Sequence, residues 1–212
     1  LKKDSMSSAS DAWSFFLYNL PKGDTIAALR YGSPDVFYGF TPGPGNTVIF
    51  TQDASQAVGN VRGIYYGNFF TGDSGLVVSA AVYPAWTASG VTYNFVYVRD
   101  GDNIFVAGLR ADTPIVTVNA TKIFDLSVPT GAIRFPRWSA DGQSLVFMIE
   151  SASETQSALY MLSNVQTLAA STDTGSSLTH KSVTRLTAAD DTNYNSFPHF
   201  AGSSDDLILY TR

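Results

Sequence analysis

One short unit recurs along this chain: an aromatic residue, a tight polar turn, and a strand that is apolar on both faces. The copies read FYGFTPGPGNTVIFTQD (37–53), YPAWTASGVTYNFVYVRD (83–100), RFPRWSADGQSLVFMIE (134–150) and FPHFAGSSDDLILYTR (197–212). Their aromatic anchors are Phe40, Trp86, Trp138 and Phe200, separated by 46, 52 and 62 residues. A supersecondary unit repeated at this spacing cannot bury its apolar strand alone. It must stack against the next copy, so the repeat limits the chain to arrays of small packed sheets.

The remaining strand signals fall into the same frame. RGIYYGNFF (62–70), DNIFVAGL (102–109) and SALYMLSN (157–164) supply a third strand. GLVVSAAV (75–82), PIVTVN (114–119) and SVTRLT (182–187) supply a fourth. β-Branched and aromatic runs bounded by Gly, Pro, Asn and Asp carry the strand signal, and helical periodicity is nearly absent. The Ser/Thr/Gly-rich stretch VQTLAASTDTGSSLTH (165–180) is expected to extend the hairpin between the third and fourth strands of its repeat. Four strands per repeat predict an all-β fold, a β-propeller of four-stranded antiparallel blades.

The chain opens with WSFFLYNLPKGDTIAALRYG (13–32), which matches the third and fourth positions of a blade, and ends on a first and second position. The expected organisation is an N-terminal extension at 1–12, a half-blade at 13–32, blades at about 33–82, 83–131 and 132–187, and a half-blade at 188–212. The two half-blades are expected to make one blade, giving four blade equivalents. These form a closed four-bladed ring or part of a larger propeller, and closure would remove exposed edge strands.

Charged residues make up only 15% of the chain and the formal net charge is -5. Binding phosphate backbones needs a basic stripe, so no nucleic acid is expected as a partner. No apolar run approaches the ~20 residues of a membrane helix, so no transmembrane segment is expected. The chain has no cysteine, which excludes disulfides and thiolate-bound metals. Low charge and Ser/Thr richness point to an extracytoplasmic setting, periplasmic or secreted.

Each motif that carries chemistry elsewhere has a structural reading here. Thr71–Leu76 contains Gly-Asp-Ser-Gly, the sequence around a trypsin-like nucleophile, but the only histidines, His180 and His199, lie downstream of it. A hairpin turn between blade strands is the expected role. Two histidines are too few for a histidine-rich metal centre, and His199 is expected at a solvent- or channel-facing strand position. Asp190, Asp191, Asn193 and Asn195 gather oxygen atoms in a connection between blades. They are expected to cap turns, with calcium or partner contact as alternatives. The only glutamates, Glu150 and Glu154, have no second acid placed opposite them, so a glycosidase pair is unsupported. No catalytic residue, metal site or cofactor is therefore expected. Tyr65, Tyr66, Phe69 and Phe70 are denser than one strand face requires and are candidate partner contacts, as are the four Asp/Asn residues. Asn119 begins an Asn-Ala-Thr sequon.

The stretch FPRWSADGQSLVF (135–147), followed by ALYMLSN (158–164) and VTRLT (183–187), resembles the WD40-like PD40 repeat of TolB-like β-propellers. The last copy fits without the Pro-Asp-Gly turn, and the first two are more distant. The resemblance implies a propeller. It does not imply a function, because such propellers serve many roles. The expected function is a non-enzymatic scaffold or protein-binding module, because a rigid ring presents a broad polar loop face at little ordering cost, with a protein partner or other subunits of an assembly. The alternative is a propeller subunit of a larger extracellular assembly or enzyme complex, peptidase- or carbohydrate-associated.

Overall fold

The structure, a computed structural model, describes residues 2–3, 13–19, 24–31, 39–52, 61–110, 114–126, 131–171, 178, 180–188, 190–202 and 207–212, with backbone alone for 2–31. It forms two compact units, Leu1–Val82 with Arg110–Val116, and Tyr83–Leu109 with Thr117–Arg212.

The first unit holds two sheets. Strands β1 (Lys2–Lys3), β2 (Trp13–Asn19) and β3 (Asp24–Tyr31) pair in order, antiparallel. The third strand, β1, is two lysines where no strand signal exists; β2 and β3 were the expected pair. A four-stranded antiparallel sheet follows: β4 (Phe40–Pro42), β5 (Thr47–Gln52), β6 (Gly63–Asn68) and β7 (Ser74–Ser79). All six residues of β5 are buried, because its Thr-Val-Ile-Phe-Thr-Gln run presents covered groups to both faces. Gly-Asp-Ser-Gly sits in the β6–β7 hairpin, where Asn68 Oδ1 accepts the Phe70 and Thr71 N–H groups and Thr71 Oγ1 donates to Asp73 Oδ2.

In the second sheet-forming region, β8 (Ala81–Trp86), β9 (Phe95–Arg99), β10 (Asn103–Arg110) and β11 (Val116–Asp125) are neighbours in chain order. Then come β12 (Gly131–Trp138), β13 (Leu145–Ser151), β14 (Ser157–Leu162) and β15 (Val183–Arg185), antiparallel throughout. The pair β16 (Ser196–Phe200) and β17 (Ile208–Thr211) ends the chain. Second strands are covered along most of their length: Phe95, Val96, Val98, Leu145, Val146, Phe147 and Met148 are each 0% exposed.

The β12–β13 turn shows how Ser-Ala-Asp-Gly works. Ser139 Oγ donates to Asp141 Oδ1 at 2.6 Å and accepts the Ser144 N–H at 2.8 Å, while Asp141 Oδ1 accepts the Gln143 N–H at 2.9 Å. Gly142 has φ +69°, a left-handed conformation that costs glycine nothing.

The expected hairpin extension after β14 is corrected at its start: Val165–Ala170 form a helix, α1. Asn164 takes φ 59°, turning the chain sharply, and Val165 and Ala169 bury one face a turn apart. Gln166 then bonds both backbone groups of Tyr93, accepting at Oε1 (3.0 Å) and donating from Nε2 (2.7 Å). Residues 172–177 of that stretch lie outside the described residues. No helix among the described residues is long and apolar enough to cross a membrane.

Candidate functional site

The second unit repeats a local distortion on the first strand of each of its sheets. Tyr83-Pro84-Ala85-Trp86 lies on β8, Phe135-Pro136-Arg137-Trp138 on β12, and Phe197-Pro198-His199-Phe200 on β16. The leading aromatics have φ of 54°, 51° and 52°. Register shifts fall between Arg134 and Arg137 and between Ser196 and His199, which marks a bulge. Proline suits it, since it has no N–H to contribute to the ladder. A bulky residue at positive φ costs on the order of 1 kcal/mol or more and persists only where its surroundings hold it.

What holds it is a row of rings. Tyr83 and Phe135 meet edge to face, with centroids 4.9 Å apart, and Phe135 and Phe197 lie 4.6 Å apart. Tyr83 is buried, Phe135 half-buried, and Phe197 is 56% exposed. The row therefore ends on an open aromatic face.

Beside the row lies a charged network. Arg134 on β12 donates from Nε to Glu150 Oε2 and from Nη1 to the Tyr83 hydroxyl, and the Tyr194 hydroxyl donates to Glu150 Oε1. The Glu150 side chain is 6% exposed and that of Arg134 24%. Burial weakens the Arg134 charge, but the hydrogen bonds and charges of Tyr83 and Glu150 outweigh it and hold the guanidinium above its ordinary range. Burial, then the Glu150 carboxylate, pushes the Tyr194 hydroxyl up to about 12. Both carboxylate oxygens of Glu150 are occupied, and the group facing it is a cation rather than a second acid.

The residues singled out from sequence are placed unevenly. Trp138 and Phe200 are buried, Trp86 is half-buried, and Phe40 is 43% exposed at the start of β4. Trp138 donates from Nε1 to the Ala85 carbonyl at 3.2 Å, joining β12 to β8. Of the candidate partner contacts, Tyr65 and Tyr66 are buried, because both faces of β6 are covered. Phe69 packs against Val48, Phe50 and Tyr65, and Phe70 is exposed. Asp190 is exposed. Asp191, Asn193 and Asn195 form a closed turn: Asp191 Oδ1 accepts the Asn193 N–H at 3.0 Å, and Asp191 Oδ2 accepts from Asn195 Nδ2 at 3.1 Å. Those bonds from Asn193 lower the Asp191 carboxyl below its ordinary range, with Arg212 adding to them. Asn195 is buried and exchanges bonds with Ser157 on β14. Among the described residues no group of His, Asp and Glu is arranged to hold a metal ion. His199 stands exposed on β16 and Asn119 exposed on β11.

Tyr83, Arg134, Phe135, Tyr194 and Phe197 are not among the residues singled out from sequence. The thrice-repeated aromatic-Pro-x-aromatic string was the available signal for the ring row. Nothing in spacing alone joins Arg134 to Glu150, because the join depends on strand register.

No family model and no curated protein matches this chain. Its structure is similar to that of an oligogalacturonate lyase in complex with manganese, with a TM-score of 0.55 over 94% of this chain and 10% sequence identity. This chain covers 52% of that one, about half its length. At that identity the likeness bears on the fold: the chain is an all-β protein of the propeller class, with three four-stranded sheets among the described residues beside the three-stranded β1–β3 and the two-stranded β16–β17.

Proposed function

We propose that this chain is a non-enzymatic β-propeller module of the TolB-like, PD40-repeat kind, which binds a protein partner outside the cytoplasm. The open end of the ring row at Phe197 carries this reading. An exposed aromatic backed by a second ring, on a strand fixed by its neighbours, is a rigid anchor that loses little entropy on binding. The Glu150 network supports binding over catalysis. Its carboxylate is held by Arg134 on one oxygen and Tyr194 on the other, the arrangement of a structural ion pair rather than of a base aimed at a substrate.

The test uses the whole chain and its Phe197→Ser variant, each immobilised and offered an extracytoplasmic protein fraction. A partner retained by the native chain is expected to fall about tenfold or more with the variant, since anchor rings contribute 2 kcal/mol or more. In the complex, hydrogen exchange is expected to slow at β16.

A second reading, a carbohydrate-associated propeller subunit or enzyme, has one observation in its favour: the similar solved structure is an oligogalacturonate lyase in complex with manganese. Incubation with oligogalacturonate, with and without added manganese, separates the two. Accumulation of unsaturated product would overturn the non-enzymatic reading.

A further inference from the structure

The bulge of β12 sets two guanidinium groups on one face. Arg134 pairs with Met148 and Arg137 with Val146, so three steps on β12 match two on β13. Residues two apart on a strand share a face, and their cross-strand partners share it too. The same shift occurs on β16, where Ser196 pairs with Thr211 and His199 with Leu209. His199 is thus the counterpart of Arg137 on the neighbouring first strand. The Phe135–Phe197 ring contact brings the two strands together two residues earlier.

Arg134 is neutralised by Glu150, but Arg137 is not neutralised by any described carboxylate. Glu150 is taken by Arg134 and Tyr194, Asp141 by Ser139 and Gln143, Asp125 by Lys122, and Asp191 by Asn193, Asn195 and Arg212. The half-buried Arg137 makes one hydrogen bond, from Nη1 to the Pro136 carbonyl at 2.9 Å. Its Nε and Nη2 donors have no partner among the described residues, and this pair is the edge that grips a carboxylate two-handed. The fold does not require a cation here, since the equivalent residue on β8 is the buried Ala85. Burial works against the Arg137 charge. A part-buried, uncompensated cation lowers stability, and an apolar residue of similar size would serve the sheet better.

We propose that Arg137 and His199 form a carboxylate-binding site on the first strands of the second unit, whose ligand is an acidic–aromatic peptide segment of a protein partner. The carboxylate docks on the Nε–Nη2 edge of Arg137 with His199 beside it, and the neighbouring aromatic side chain of the peptide packs on the open face of Phe197. The site rests on the binding-module reading and names the chemistry of its partner.

The test follows the Arg137 Nε–Hε resonance and the His199 backbone amide of the full chain by NMR. The probes are acetyl-Asp-Phe-amide and its neutral counterpart acetyl-Asn-Phe-amide. A saturable shift is expected with the Asp peptide, and binding about tenfold or more weaker with the Asn peptide, the size of a charge-assisted bond. Arg137→Met is expected to abolish the His199 response while melting at the same or a higher temperature. Arg137→Lys keeps the charge, loses the fork, and is expected to bind about tenfold more weakly. Equal responses to both peptides would overturn the site, as would no saturable shift. So would a fall in melting temperature in both variants, which marks a structural arginine, or a response to digalacturonate with none to the Asp peptide. If partner capture fails while the Asp peptide still binds at Arg137, the module reading falls and the site stands.

Discussion

Glu150 is the residue whose meaning changes most between sequence and structure. As one of two glutamates it looked like an isolated acid at a strand end. Folded, it is enclosed by Arg134 and Tyr194. Removing one member of a nearly buried ion pair costs more than the pair contributes, because the partner charge is left without compensation. Glu150→Gln is therefore expected to destabilise the chain by about 2–3 kcal/mol, below the ~3–5 kcal/mol of a fully buried pair because Arg134 keeps contact with water. Replacing Arg134 and Glu150 together by Met and Leu is expected to cost less than Glu150→Gln alone. Urea unfolding of the three proteins measures both. Tyr194 adds a pH signature. Its hydroxyl is raised in the fold to about 12 from the ordinary 10. The protonated form is the one that donates to Glu150, so its contribution is full below pH 10 and is lost as pH rises through about 12. Burial raises Tyr65 and Tyr97 as well, so phenolate absorbance should show several late-titrating tyrosines, of which one moves to lower pH in Glu150→Gln.

At the scale of elements, second strands were legible because they are apolar on both faces: β5, β9 and β13 are runs that only a double cover can bury. The lysine pair of β1 and the six residues of α1 were not legible. A two-residue strand has no periodicity to read, and α1 is held by Gln166 on Tyr93 rather than by helix propensity. The bulged first strands fall between these cases. Their aromatics stood out, but the packing role was assigned to the last aromatic of each string, and the first one carries the distortion. This separates two substitutions of the same kind. Phe135→Gly relieves a positive φ at a position where the ring is clamped between Tyr83 and Phe197. Loss of the ring outweighs about 1 kcal/mol of backbone relief, and a net loss of about 1–3 kcal/mol is expected. Phe197→Gly relieves the same strain where the ring is mostly in water, so stability is expected to change by less than about 1 kcal/mol. Thermal melts of the two variants check the contrast.

At the scale of the whole molecule, the repeat spacing announced a propeller-class fold, but it could not show how sheets of the second unit are joined. Beside the row of rings, polar joins link them: Trp138 to the Ala85 carbonyl, the Ile133 N–H to the Gly101 carbonyl at 2.7 Å, Ser157 to Asn195, and Gln166 to Tyr93. In arrays of repeated sheets, stability is a sum of each unit's own stability and the terms between neighbours. A lost join should therefore loosen both sheets that it connects, while a change within one sheet should not spread in this way. Gln166 offers the cleanest test. Its side chain makes three bonds, two to Tyr93 and one to the Gly142 carbonyl at 2.9 Å, and it lies on α1 rather than on any strand. Gln166→Ala removes all three and leaves the Tyr93 groups to find water, at a cost of about 1–3 kcal/mol. Hydrogen exchange is expected to quicken at 91–95, in the connection from β8 into the start of β9, as well as along α1. Faster exchange confined to α1 would show that the helix is an appendage and that Gln166 does not couple the two sheets.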